Sequence, residues 1–281
     1  SNKEKKKNSS KVRNIVAISI MSVMILAALT ALSFCVYIIA TAPPFEVEKL
    51  FTTSSTNVYA SNGELIATLG SKKRENVTYD ELPEVLIDAI VATEDSKFFQ
   101  HAGVDLLRFG KAVVGQLLGH SDAGGGSTLT MQLAKNSYNG TESGGIDGVI
   151  RKFKDIYMAI FKIEKTYSKQ EIMEFYVNNC CFANNIYGIE AAAQAYFGIS
   201  AADLTLSQAS YLCAIPNRPT YYNPYTQPER ALERRDKILQ DMFECGFISD
   251  AQLSEALAEE ITVTGQKKSS SDRVNGYQTT Y

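Results

Sequence analysis

No charged residue occurs between Arg13 and Glu46, and from Ile15 to Ala40 every residue is apolar, small or weakly polar. That run constrains the chain more than any other feature. In hydrocarbon a backbone must satisfy its own hydrogen bonds, and a single segment can do so only as a helix. Twenty-six residues at about 1.5 Å each exceed the roughly 30 Å apolar core of a bilayer. The run is too long for a signal-peptide core, and no evident small-residue cleavage site follows it. Lys3, Lys5, Lys6, Lys7, Lys11 and Arg13 precede it, which predicts a cytoplasmic N-terminus and an external remainder. Pro43 and Pro44 end the span, and no second apolar run of this length follows. The expectation is a single-span anchor carrying an external domain.

About 235 residues lie beyond the anchor, enough for one large or two small domains with a sizeable core. The net charge of −3 combines a basic tail with a mildly acidic external part, which gives no support to nucleic-acid binding. Two histidines, His101 and His120, and the lack of a Cys-x-x-Cys pair argue against a zinc site. Cys180, Cys181, Cys213 and Cys245 show no disulfide pattern and read as small buried residues, with pairing undecided.

The external part reads as mostly helical. Asn62-Gly63, between Asn57–Ala60 and Glu64–Leu69, predicts one short β-hairpin. Ser168…Glu171, Thr205…Gln208 and Ser249…Gln252 each fit a capping box. Gly198 and Gly246 mark helix ends, and Pro228 a helix start. Glycine-rich, polar stretches at 121–126 and 139–145 predict mobile loops around a short helix.

Three stretches carry candidate chemistry. Leu82–Thr93 reads as a helix with Pro83 at its first position. Stepping about 100° per residue places Glu94 among Ile87, Ile90 and Val91, and Asp95 beside Asp88 on the polar side. A carboxylate in an apolar setting is suited to general base or acid work; a helix ending at Glu94 with the side chain in water is the alternative. In Gly125-Gly126-Ser127-Thr128 the glycines allow close approach to a ligand, and Ser127 or Thr128 can cap the next helix. Free amides at that helix start suit phosphate, with Gln132 and Lys135 one turn on. A capped surface helix after a flexible loop fits the same residues. Arg151-Lys152-Phe153-Lys154-Asp155 opens a helix running to about Lys165. Ile150, Phe153, Ile156, Tyr157, Ile160 and Ile163 form its expected buried stripe, with Arg151 and Asp155 opposite. Three cations in four residues suit a diphosphate, and a solvated face with an Arg151–Asp155 pair fits equally.

Order and spacing join these pieces. Glu-Asp-x-x-Phe-x-x-His-x-Gly-x-Asp at 94–105, Gly-x-Ser-Thr-x-x-x-Gln at 125–132 and Arg-Lys-x-x-Asp at 151–155 are followed by Lys169–Asn178 and Arg234–Leu239. The set resembles the peptidoglycan glycosyltransferase domain of class A penicillin-binding proteins and monofunctional transglycosylases. The stretches 187–198 and 217–224 also look like that family, and the resemblance runs from about Val58 to Leu257.

The resemblance implies a mainly α fold, with a lysozyme-like helical lobe and a smaller membrane-facing jaw lobe. It implies polymerisation of lipid II, a lipid-linked disaccharide-peptide, into β-1,4 glycan with inversion and release of undecaprenyl diphosphate. Catalysis then falls to Glu94, as general base, and Asp155. Substrate binding falls to Asp95, Ser127, Thr128, Gln132, Lys135, Arg151, Lys152, Lys154 and Asn178. No protein metal cage and no organic cofactor are expected; Mg2+ or another divalent cation would bridge the diphosphate and a carboxylate. Expected partners are lipid II, the growing strand, the bilayer and other cell-wall synthesis or division proteins. The apolar run Val104–Leu118, broken by Arg108 and Lys111, suits a jaw helix dipping into the interface.

The expected organisation is a basic tail at 1–14, the anchor at 15–42 and a linker with hairpin at 43–80. The glycosyltransferase domain follows at 81–260, and a linker at 261–281 that leads into a transpeptidase domain beyond Tyr281. Expected placement is the bacterial plasma membrane, with the catalytic domain outside. Three departures from the family pattern stand out: Met131 where a glutamine is usual, Asp155 where glutamate is usual, and no arginine shortly before Arg151. A lytic lysozyme-type enzyme and a non-catalytic scaffold are the rival readings.

Overall fold

The computed structural model describes residues 2–50, 56–59, 65–69, 76–117, 125–138 and 144–264. The fold is mainly helical. Helix α1 (Asn2–Thr41) contains a 29-residue apolar segment, Arg13–Thr41, long and apolar enough to cross a membrane. Strands β1 (Thr56–Tyr59) and β2 (Leu65–Leu69) pair antiparallel, with Thr56 opposite Leu69 and an irregularity at Val58/Tyr59. The Asn62-Gly63 turn expected between them lies outside the described residues, as do most of the two glycine-rich stretches, His120 and the 265–281 tail.

Then come α2 (Glu84–Glu94), α3 (Leu106–Leu117), α4 (Leu129–Tyr138) and α5 (Gly145–Met158). A π-helical turn (Ala159–Ile163) joins α5 to α6 (Glu164–Thr166). The chain continues through α7 (Lys169–Asn179), α8 (Ile189–Phe197), α9 (Leu206–Ala214), α10 (Pro228–Glu244) and α11 (Asp250–Ala258). Local signals behave as their chemistry predicts. The capping boxes at Ser168, Thr205 and Ser249 are formed, Pro228 opens α10, and Gly198 closes α8 at φ +74°.

The core forms where α2, α9 and α10 pack on one another and α4 packs on α7. Chain preceding α2 is fastened to it. Leu50 is buried in this core, and its carbonyl accepts from Asn179 Nδ2 at 2.7 Å. Asn178 pairs with both backbone groups of Val77, accepting from its N–H at 3.1 Å and donating to its carbonyl at 2.8 Å. Cys180 and Cys213 are buried free thiols; Cys181 is partly buried, and Cys35 and Cys245 are exposed.

The reading of α5 requires correction. The helix begins at Gly145, six residues before Arg151, and its regular part stops at Met158. Ile163 is buried, and Ile156, Tyr157 and Ile160 pack on the core as expected, but Asp155 is buried at 2% exposure and Phe153 is exposed. Phe153 instead meets Phe34 of α1 edge-on, ring centroids 5.1 Å apart. The stripe therefore divides, with Phe153 turned to α1 and Ile156, Tyr157, Ile160 and Ile163 to the core, a split that apolar spacing alone did not reveal.

Candidate active site

Glu94 is the last residue of α2, and the helix delivers its side chain to the edge of the core. Beneath it lies a small cavity of about 20 Å³, lined by Ile90, Tyr176, Cys180, Cys213 and Pro216 among others. From the other side Gln132 Nε2 of α4 donates to Glu94 Oε2 at 2.7 Å. The carboxylate therefore sits partly buried between an apolar wall and one neutral donor, leaving part of its surface for a substrate.

The expected polar-side position of Asp95 is a second correction. The chain leaves the helix at this residue (φ −157°, ψ 75°), so helical stepping no longer governs its direction. Asp95 is 1% exposed. Both its oxygens lie 2.9 Å from His101 Nε2, and one accepts from Leu129 N–H at 3.1 Å. It thus binds the loop after α2 to the start of α4. Thr128 reinforces the joint. Its hydroxyl donates to the Gly103 carbonyl at 2.6 Å and accepts from Met131 N–H at 3.3 Å, capping α4. Gly103 itself has φ +93°, with Ala159 backbone 3.1 Å from where a Cβ would stand.

A second wall of the site is cationic. Lys152 Nζ of α5 donates to the Ser127 hydroxyl. Burial lowers the Lys152 amine below its ordinary value; Asp155 opposes that shift, while the charges of Arg151, Lys135 and Arg108 add to it. These groups therefore act on one another across α3, α4 and α5. Such a cluster of cations stores repulsion that a bound polyanion relieves. Lys154 is partly buried on the same helix.

The structure therefore brings together Glu94, Gln132, Ser127, Lys135, Arg151, Lys152 and Asp155. It commits Asp95, Thr128 and Asn178 to bonds within the fold. Two residues were not singled out from sequence. Arg108 of α3 donates from Nη1 to the Glu94 carbonyl; as a cation interrupting an apolar run, it carried a signal. Glu164 accepts from the Thr130 hydroxyl at 2.6 Å and Lys169 Nζ at 2.7 Å, tying α4 to the chain after the π-turn. Met131 is buried against Val104 and Ala159, so its side chain points away from the Gln132 face.

A helix-end carboxylate held by a neutral donor, facing a wall of cations, defines a site for chemistry on an anionic substrate. The family profile described as transglycosylase matches residues 62–243, and the chain belongs to that family. It is 35% identical over 271 residues to penicillin-binding protein 1A of Streptococcus oralis, covering 96% of this chain and 42% of that one. It is 38% identical over 252 residues to penicillin-binding protein 1A of Aquifex aeolicus, covering 89% and 34%. It is 39% identical over 227 residues to penicillin-binding protein 1A/1B of Bacillus subtilis, covering 80% and 24%. The chain thus spans less than half the length of these relatives. A crystal structure of penicillin-binding protein 1A from Haemophilus influenzae is 26% identical, covering 75% of this chain and 21% of that one, with a TM-score of 0.42.

Proposed function

We propose that the chain is a peptidoglycan glycosyltransferase that polymerises lipid II into β-1,4 glycan at the membrane surface. Membership of the transglycosylase family supports the reaction class. The observation that carries the assignment of roles is Glu94, oriented by Gln132, beside the Arg108, Lys135, Arg151 and Lys152 cluster.

In this reading Glu94 takes the proton of the acceptor's 4-hydroxyl. The oxygen attacks the anomeric carbon of the growing chain, the bond to the diphosphate oxygen breaks, and the configuration inverts. Lys152, Lys135, Arg151 and Arg108 hold the diphosphate and the charge it gains as it leaves. Asp155, buried nearby, opposes the lowering of the Lys152 amine by burial. Asp95, Thr128 and Asn178 act by positioning. Among the described residues no three His, Cys, Asp or Glu side chains converge to hold a metal; a divalent cation would be held chiefly by the diphosphate oxygens. A lytic enzyme has no leaving diphosphate for this cationic wall, which favours the synthase.

The membrane side of the proposal rests on exposed apolar residues. Leu106 and Leu107 of α3 are 76% and 71% exposed, and Ile146 of α5 is 80% exposed. With α1 packed on α5, we assign α3 and the start of α5 to a jaw lobe resting in the lipid interface. The helical core forms the larger lobe, and the basic tail faces the cytoplasm.

The test is incubation of the full chain in detergent with labelled lipid II. Glycan polymer is expected, and Glu94→Gln should lower its rate by about 10²-fold or more. Near-full activity in Glu94→Gln would sink the mechanism, and shortened glycan from finished strands would mark a lytic enzyme.

A further inference from the structure

The connection between α9 and α10 holds a feature that the glycan chemistry leaves unused. Arg218 and Arg230 both stack on Tyr221, their guanidinium carbons 5.5 and 4.3 Å from the ring centroid. All three side chains are exposed. Among the described residues neither guanidinium is paired with a carboxylate, although Arg235 and Lys237 further along α10 each find one. Arg234 lies one turn after Arg230, on the same face of α10. Its Nε is buried with no hydrogen-bond partner among the described residues. Unpaired arginines set side by side repel one another, and a buried guanidinium N–H without an acceptor is costly.

The ring explains how the two exposed cations are held, since cation–π stacking fixes a guanidinium plane while leaving its N–H edge free. That edge matches the two oxygens of a carboxylate. The patch is also anchored. Tyr221 and Tyr222 N–H groups both donate to the Arg218 carbonyl at 2.9 Å. Asn223 exchanges side-chain hydrogen bonds with Asn184, at 3.0 and 3.3 Å. It continues directly from Pro216, which lines the cavity beneath Glu94.

We propose that Arg218, Tyr221 and Arg230, backed by Arg234, form a carboxylate-binding subsite for the peptide borne by the acceptor substrate. The occupant follows from charge and place. The patch begins two residues after Pro216, which lines the cavity beneath Glu94, on elements other than the α3, α4 and α5 that carry the cationic cluster, and a peptide ends in a carboxylate. The assignment rests on the glycosyltransferase reading for its substrate, while its binding chemistry can be measured without turnover.

The probe is a fluorescently labelled short peptide with a free terminal carboxylate, titrated against the full chain in detergent, beside its C-terminal amide. The acid is expected to bind at least fivefold more tightly than the amide, and Arg218→Gln with Arg230→Gln to abolish that difference. In polymerisation the same pair of substitutions should raise the KM for lipid II about tenfold, with a smaller change in kcat. Equal binding of acid and amide by the unsubstituted chain would overturn the subsite. So would a preference that survives both substitutions, or a signal that depends on anionic phospholipid in place of the peptide. Carboxylate-selective binding by a chain that makes no glycan would uphold the subsite and remove the glycosyltransferase reading instead.

Discussion

Gln132 Nε2 donates to Glu94 Oε2 at 2.7 Å, across a sequence separation of 38 residues. The bond leaves the carboxylate one neutral neighbour, which orients it without supplying a competing proton acceptor. Removing the amide should free the side chain to rotate. Gln132→Ala is expected to lower the polymerisation rate about tenfold to 100-fold, the range for a hydrogen bond to a charged group, with an unchanged melting temperature. A rate within twofold of the unsubstituted chain would show that Glu94 needs no such orientation.

Asp95 should behave differently, because both its oxygens are bonded within the fold. Asp95→Ala leaves His101 and the Leu129 N–H without their buried acceptor, a loss of about 3 kcal/mol or more for a broken buried charged network. The expected result is a lower melting temperature together with lost activity. Asp95→Ala that melts normally yet is inactive would place the carboxylate in direct contact with substrate.

Gly103 occupies φ +93°, and a Cβ added there would stand 3.1 to 3.2 Å from the Ala159 carbonyl carbon, Glu164 Cγ and the Ile160 nitrogen. Alanine would therefore combine left-handed strain with overpacking against backbone, together about 2 kcal/mol or more. Chemical denaturation of Gly103→Ala should show that loss; an unchanged midpoint would contradict the geometry.

The pH dependence of stability offers a separate check at Asp88. Burial, with a smaller contribution from Glu84, raises its carboxyl from 3.8 to about 6. Between those values the folded chain holds a proton that the unfolded chain has lost, so stability falls as pH rises through the window. Asp88→Asn should therefore be the more stable chain at pH 7.5, with its advantage shrinking towards pH 4. Parallel melting curves across that range would detect it, and a constant difference would refute the assignment.

Much of the site was legible from sequence because its elements are local. A proline or capping box starts a helix, a glycine ends it, and Glu94 falls at the end of an apolar stripe. The family motifs then joined Glu94, Ser127, Gln132 and the Arg151–Lys152 pair before any contact was known. Expectation failed where side-chain direction depended on distant chain. Helical stepping put Asp95 on the polar side, but the backbone leaves the helix there, and Leu129, 34 residues on, captures the carboxylate. The resemblance gave Asn178 a substrate role without showing its partner in the fold, Val77, 101 residues earlier, whose backbone bonds both ends of its amide.

The sequence by itself determined the long apolar N-terminal helix, the helical character and the place of Glu94 at a helix end, since each follows from periodicity, length or a short motif. Only the tertiary structure decided which polar groups remain available. Arg108 joined the cationic wall, while Thr128 and Asp155 were drawn into the interior. Arg218 and Arg230 met over one tyrosine ring. The reason is physical: a polar side chain's role depends on whether a partner has satisfied it. That partner comes from packing between elements, which local spacing does not encode.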